Sequence, residues 1–371
     1  MRCDPLLSVR DLRVAFGAAE AVRGLSFDVR EGEVFALVGE SGAGKSLTAR
    51  SLLGMAPREA TIRGSVRLRP ATRAGAGAGD GERAPATAPG GIRPPGATCP
   101  GATSAGAIEL VGAKPSVLAP LWGRRIAFVP QDSLSALSPV HPVGDQLAAA
   151  VRSVQGLSRR HARVKAAEAL ERVGIPAARA RAYPHEFSGG MRQRAVIAMA
   201  MVNEPDLVVA DEPTTALDPE MREQALRLLG EQREATGAAL VLVTHDLEAV
   251  RDHADRVLVV YAGRHVESGP VRRVFAHPRA PYTAGLLASL PPDEPVPGRG
   301  RRLPAMGRTP CAPDRGDEAA GGCPFAPRCP LSDARCRAER PEPQPVDGRD
   351  VSCHHWSRLP ESPADVFLEK A

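Results

Sequence analysis

Residues Gly39-Glu40-Ser41-Gly42-Ala43-Gly44-Lys45-Ser46 form a G-x-x-x-x-G-K-S run between a continuous apolar stretch, Val34 to Val38, and a helical one, Lys45 to Leu53. No other feature narrows the fold as much. A strand that is apolar at every position is buried on both faces, as in a parallel sheet covered by helices. The glycines let the backbone curl until its N–H groups converge, and the following helix adds positive partial charge at its N-terminus. Such a loop cradles phosphate oxygens. Lys45 would reach the β and γ phosphates of a nucleotide, and the Ser46 hydroxyl would ligate Mg²⁺. The candidate nucleotide-binding set is Gly39, Glu40, Ser41, Gly42, Ala43, Gly44, Lys45, Ser46 and Leu47.

Further buried-strand runs follow at Asp206–Ala210, Ala239–Thr244 and Arg256–Val260, alternating with helical patterns at Val143–Val173 and Gly189–Val202. That alternation predicts an α/β domain with a largely parallel sheet. Leu6–Val14 and Leu25–Val29 read instead as antiparallel strands, with turns at Gly24 and Gly32. One strand ends in Asp211-Glu212, which places two carboxylates at the C-terminal edge of the sheet, where α/β proteins bind ligands. An acidic pair after a strand is by default a helix cap. Beside a phosphate loop it reads as Asp211 holding Mg²⁺ and Glu212 orienting or deprotonating the attacking water.

Those motifs alone predict a nucleoside triphosphatase. Phe187-Ser188-Gly189-Gly190-Met191-Arg192-Gln193-Arg194 adds a second anion-seeking helix start. Two such starts aimed at one γ phosphate imply that two chains close face to face. The run resembles the signature of ABC ATPases, and the resemblance covers roughly residues 6 to 290. It implies ATP as substrate, with Ser188, Gly189, Gly190 and Met191 contacting the ATP of the opposite subunit. Gln131 is similar to the glutamine that joins the Mg²⁺ site to the membrane subunit, and Ala216-Leu217-Asp218 to the D-loop. His245 is similar to the switch histidine that contacts the γ phosphate, and Phe16 stands where an aromatic stacks on adenine; plain core is the other reading for Phe16.

Within that family the chain resembles ATPases of dipeptide, oligopeptide and nickel importers. His185 to Arg194, Leu137-Ser138-Pro139-Val140 and His277-Pro278-Arg279-Ala280-Pro281-Tyr282-Thr283 carry the likeness. Met191, with Ile197-Ala198-Met199-Ala200-Met201, is similar to the first of the two ATPase subunits in these systems. The resemblance implies a heterodimer, two membrane permeases, an extracytoplasmic solute-binding protein, and a peripheral place on the cytoplasmic face of the membrane. Di- and oligopeptides are the expected solutes, nickel the alternative. A soluble repair or translation ATPase is a third reading, disfavoured by a single nucleotide domain without heptads.

Residues 1–270 are thus expected to form the nucleotide domain, with a helical subdomain at 140–200, and 271–371 a separate, loop-dominated extension. Aromatics are only 4% of the 371 residues, so the core must be mostly Val, Leu, Ala and Ile. The net charge of +5 is spread along the chain, the pattern of a solvated surface rather than a nucleic-acid partner. Charges interrupt Met1–Arg13, which excludes a signal-peptide core there, and no apolar run approaches a membrane span. Residues 69–106 collapse to Ala, Gly, Pro, Arg and Thr, which predicts a disordered surface insertion that interrupts no motif.

Four of the seven cysteines, Cys323, Cys329, Cys336 and Cys353, are spaced C-x5-C-x6-C-x16-C near the C-terminus. In a chain without an export signal, such crowding points to a metal rather than disulfides. The tight knuckles of structural zinc are absent, and a [4Fe–4S] cluster accepts wider spacing. Some importer ATPases similar to this chain carry such a cluster. Zn²⁺, with His354 or His355 in place of Cys353, and reduced thiols without metal are the alternatives.

Overall fold

The computed structural model describes residues 4–70, 106–215, 217–290, 321–360 and 366–367. Strands β1 (Leu7–Phe16) and β2 (Ala19–Val29) pair as an antiparallel hairpin. The expected turn at Gly24 is corrected: this residue lies inside β2. The register passes from Leu12 opposite Leu25 to Arg13 opposite Arg23, leaving Gly24 as the extra residue of a bulge at φ 87°. The turn at Gly32 is present and leads into β3 (Val34–Val38), buried at every residue, and then α1 (Lys45–Leu52).

Strand β4 (Thr61–Leu68) pairs with β1 and with the short β5 (Ile108–Glu109). Leu68 stands opposite Ile108, so the insertion leaves and re-enters the edge of this four-stranded sheet. Its interior, residues 71–105, lies outside the described residues. Helix α2 (Pro115–Leu118), strand β6 (Ile126–Val129) and helix α3 (Ser133–Ala136) follow.

The helical pattern expected over 143–173 is two helices, α4 (Val143–Gln155) and α5 (Arg159–Arg172). Gly156 closes the first in the left-handed conformation, and the Ser158 side chain caps the second by accepting from the His161 N–H. Next come α6 (Gly189–Met201), β7 (Leu207–Asp211), α7 (Pro219–Thr236), β8 (Ala239–Thr244), α8 (Leu247–His253), β9 (Arg256–Tyr261) and β10 (Arg264–Pro270).

The larger sheet runs β9-β3-β8-β7-β6 in parallel. Its register decides where the chemistry sits. Val38 pairs with Thr244, Asp211 with Val243, and Val129 with Ala210, so β3, β8, β7 and β6 all end on one edge. The segments leaving that edge carry Gly39–Ser46, His245, Glu212 and Gln131. Val, Leu and Ala dominate the buried residues, as the low aromatic content requires. One core cluster joins the sheet to α4, α5 and α6, and a second joins its opposite face to β1, β2, β4 and α1.

The extension beyond residue 270 is loop-rich among its described residues, as expected, but is joined to the nucleotide domain rather than separate from it. Helices α9 (Val271–Ala276), α10 (Pro281–Ala288) and α11 (Ala334–Ala338) precede strands β11 (Gln344–Val346) and β12 (Arg349–Val351). Strand β12 pairs antiparallel with β10, and β11 with β12, which makes the sheet eight-stranded. A buried ion pair fixes the joint: Arg349 Nη1 donates to Glu267 Oε1 at 3.2 Å and also to the carbonyls of Arg273 and His277. Glu267 accepts in addition from the backbone N–H groups of Arg279 and Ala280 at the start of α10. Apolar periodicity over so few residues is weak, and the long-range pairing with β10 rather than local propensity forms these strands.

Candidate nucleotide site and cysteine cluster

The loop from Gly39 to Ser46 has the shape its glycines predict. Gly44 adopts φ 87°, and a Cβ there would meet the Ala21 carbonyl oxygen at 2.5 Å, so only glycine fits between the loop and β2. Lys45 opens α1 with its side chain almost wholly buried. Its ammonium donates to the carbonyls of Gly39 at 2.9 Å and Glu40 at 3.0 Å and stands 3.8 Å from Glu212 Oε1. Burial pulls its pKa down, while the charges of Glu212, Asp211 and Glu40 oppose that pull. Ser46 Oγ donates to Asp211 Oδ1 at 2.9 Å. Burial raises the Asp211 pKa, the Ser46 hydrogen bond lowers it, and the Glu212 charge raises it further.

Glu212 is the point of convergence. It lies just past β7 at φ 45°, an uncommon conformation for a residue with a Cβ, and its N–H donates to the Val243 carbonyl. Strained backbone of this kind gathers at functional sites. Its carboxylate accepts from Gln131 Nε2 at 3.2 Å and from Thr215 Oγ1 at 3.0 Å, with His245 Nδ1 3.4 Å away. Lys45, Ser46, Gln131, Asp211, Glu212 and His245, spread over 200 residues of sequence, therefore share one edge of the sheet. Thr215 was not anticipated. A threonine in a loop carries no signal of its own until the carboxylate it faces is known.

Other expected residues sit nearby or at a distance. Phe16 ends β1 at the hairpin tip and is 37% exposed, which corrects the plain-core reading. Ala21 of the same hairpin lies against Gly44 of the phosphate loop. Ser188 is exposed and caps α6, its Oγ accepting from the Met191 N–H at 3.3 Å. Gly189 has no neighbour within 4 Å of a would-be Cβ, whereas Gly190 lies against Met221. Asp218 caps α7 through Met221 N–H at 2.9 Å, and its neighbour Ala216 lies outside the described residues.

The four expected cysteines line one cavity of about 90 Å³, with Phe325, Pro341 and His355 among its other walls. All four are free thiols. Burial raises every one, Cys329 to about 11 and Cys353 to about 12, and the charges of Cys323, Cys329 and Cys336 add to the rise at Cys353. Such a donor set fits a multivalent cation, which removes the mutual repulsion of thiolates gathered in a low dielectric. His355 Nε2 pairs with Asp333 Oδ2 at 2.9 Å, and Asp333, Cys336 and His355 bring ligand atoms within 4.8 Å of one another. His354 instead meets the Glu339 carbonyl. Cys3, Cys99 and Cys311 lie outside the described residues.

The ABC transporter family profile matches residues 22–77 and 100–215, and that of the oligopeptide/dipeptide transporter C-terminal region matches 266–336. The oligopeptide transport ATP-binding protein OppD of Mycobacterium tuberculosis is 43% identical over 345 residues, covering 91% of this chain; the chain spans about half the length of that relative. A peptide import ATP-binding protein of Brucella melitensis is 38% identical over 364 residues, covering 96% of this chain and 97% of its own length. The dipeptide transport ATP-binding protein DppD of Bacillus subtilis is 39% identical and covers 88% and 87%. Among solved structures, a dimeric bacterial ABC transporter cassette superposes with a TM-score of 0.55 at 22% identity, covering 72% of this chain and 99% of its own. The cassette cbiO1 of Clostridium perfringens gives 0.54 at 24%, covering 74% and 92%. Both share the fold.

Proposed function

The chain belongs to the ABC transporter ATPases, in the oligopeptide and dipeptide branch, and from that premise we propose that it binds and hydrolyses ATP to power uptake of di- and oligopeptides. The observation that carries the reading is the convergence on Glu212 of Lys45, Gln131 and His245, next to the Ser46–Asp211 hydrogen bond. Residues 1–270 serve as the nucleotide domain and 271–371 as the importer-type extension.

The site's own side chains divide the work. Phe16 stacks on adenine, and the loop from Gly39 to Leu47 wraps the phosphates with its backbone N–H groups. Lys45 moves from Glu212 to the β and γ phosphates when the triphosphate arrives, because their charge exceeds that of one carboxylate. Ser46 and Asp211, with Gln131, would hold Mg²⁺, which supplies charge neutralisation on the phosphate oxygens. Glu212, released from Lys45, orients water and accepts its proton, while His245 donates to the γ phosphate. Ser188, Gly189, Gly190 and Met191 are exposed or half-exposed, as residues that must meet a partner's ATP have to be. Asp218 lies on the same closing face.

We assign the partners as a second ABC ATPase subunit, two permeases and an extracytoplasmic binding protein, with the chain peripheral on the cytoplasmic side. No helix among the described residues is long and apolar enough to cross a membrane. Cys323, Cys329, Cys336 and Cys353 would hold a [4Fe–4S] cluster, which supplies positive charge and a covalent tie among loops with little core of their own. The deciding experiment is uptake of labelled di- and oligopeptides in cells deleted for this gene and complemented with wild type or Lys45→Ala. Uptake restored only by the wild type is expected, and equal uptake by both would overturn the reading.

A further inference from the structure

The phosphate loop is held from outside the nucleotide domain. Arg328, one residue before Cys329, sends its guanidinium across to Glu40, 288 positions earlier and the second residue of the loop. Nη1 donates to Glu40 Oε2 and Nη2 to Oε1, each at 3.0 Å, the two-pronged geometry that makes an arginine–carboxylate pair directional. The Arg328 side chain is 9% exposed, and Nη1 also donates to the Tyr261 hydroxyl at 3.3 Å. Its guanidinium carbon lies 5.7 Å from the Tyr261 ring centre and 5.6 Å from that of Phe325.

Those rings belong to a cluster of three. Tyr261 ends β9, Tyr282 lies on α10 and Phe325 follows Cys323, with ring centres 4.7 to 5.4 Å apart. Tyr282 is 1% exposed, and its hydroxyl accepts from the Glu40 N–H at 3.0 Å. Glu40 is thus engaged at every polar group. Its N–H meets Tyr282, its carboxylate meets Arg328, and its carbonyl accepts from the Lys45 ammonium.

We propose that Arg328 is a positioning residue for ATP, acting through Glu40 to hold the phosphate loop in its receptive shape. The inference rests on the ATPase reading above and deepens it. Two physical effects act together. Gly39, Gly42 and Gly44 leave the loop's backbone little intrinsic stiffness, so an anchor on Glu40 removes disorder before the phosphates arrive. Glu40 also brings a negative charge to a site for a triphosphate, and the paired guanidinium cancels and turns aside that charge.

The test is a mutant cycle in which the purified full-length chain gives the dissociation constant of MgATP, metal content and melting temperature, and the chain assembled with its partner ATPase subunit gives the split between KM and kcat. Arg328→Met should weaken MgATP binding on the order of tenfold, equivalent to about 1.4 kcal/mol. The loss should fall in KM rather than kcat, with metal content and melting temperature retained. Glu40→Gln in that background should recover most of the affinity, because the uncancelled charge is gone; a merely structural arginine would not be rescued so. Arg328→Met binding MgATP as tightly as wild type would overturn the proposal. So would a double variant as weak as Arg328→Met, or a loss that tracks falling metal content and melting temperature. Wild type failing to bind MgATP would sink the ATPase reading itself, a result distinct from these three.

Discussion

The Lys45 ammonium stands 3.8 Å from Glu212 Oε1, so the cation of the glycine-rich loop and the carboxylate just past β7 face each other. Lys45 is desolvated, and Glu212 is the largest influence opposing the fall in its pKa. On the function proposed above, a triphosphate would compete for that cation and free the carboxylate, so that nucleotide binding and release of the base would be one event.

Glu212→Gln should keep ATP binding and lose turnover. The amide can still accept from Gln131 and Thr215 but takes no proton from water, and general-base catalysis contributes about 10²- to 10⁴-fold. Phosphate release and equilibrium nucleotide binding, measured on the same preparation, check this. Near-normal hydrolysis would contradict the role given to Glu212.

Gly189 offers a cleaner probe of the closing face. Nothing lies within 4 Å of a Cβ built on it, and its backbone is helical. Gly189→Glu should therefore leave stability within about 0.5 kcal/mol of wild type. ATP binding by the single chain should persist while steady-state hydrolysis falls by an order of magnitude or more, because a carboxylate now faces the partner's phosphates. A melting curve and an ATPase assay separate the two effects.

Arg349→Met should be the costliest substitution in the extension. It strands Glu267, whose side chain is fully buried, and breaking such a pair destabilises by about 3–5 kcal/mol. Denaturant unfolding would show a lowered midpoint. A shift below about 1 kcal/mol would mean that the backbone donors of Arg279 and Ala280 satisfy the carboxylate alone.

His265 predicts a pH dependence. It lies between the hydroxyls of Ser352 and Ser268, and burial lowers its pKa from 6.5 to about 4. The unfolded chain therefore takes up a proton first as the medium is acidified. The stabilisation is complete above about 6.5 and is lost progressively toward about 4, with a slope near 1.4 kcal/mol per pH unit for this one group. Melting temperatures of wild type and His265→Gln between those limits test it: the slope should be shallower in the variant.

For the cysteine cavity, Cys329→Ala and Cys353→Ala should each lower bound metal. After anaerobic purification, wild type should show absorbance near 400 nm that the variants lose. Stoichiometric zinc with no visible absorbance would instead favour the group of Asp333, Cys336 and His355 as the ligands.

Much of this protein was legible in the chain as written. Apolar runs such as Val34–Val38 and Leu207–Ala210 announce buried strands because a parallel strand must be apolar on both faces, and that demand is local. The loop from Gly39 to Ser46, the acids at 211 and 212 and the serine-led start of α6 are local too, since each is a backbone shape or cap set by adjacent residues. Gly24 misled for the same reason: its positive φ serves a bulge as well as a turn, and only the pairing of β1 with β2 distinguishes them. What the tertiary structure alone decided is who meets whom across long separations. Arg328 reaching Glu40, Arg349 closing on Glu267, β12 adding to β10, and four cysteines sharing a cavity follow from the packing of the whole core. No spacing within a short window encodes that packing.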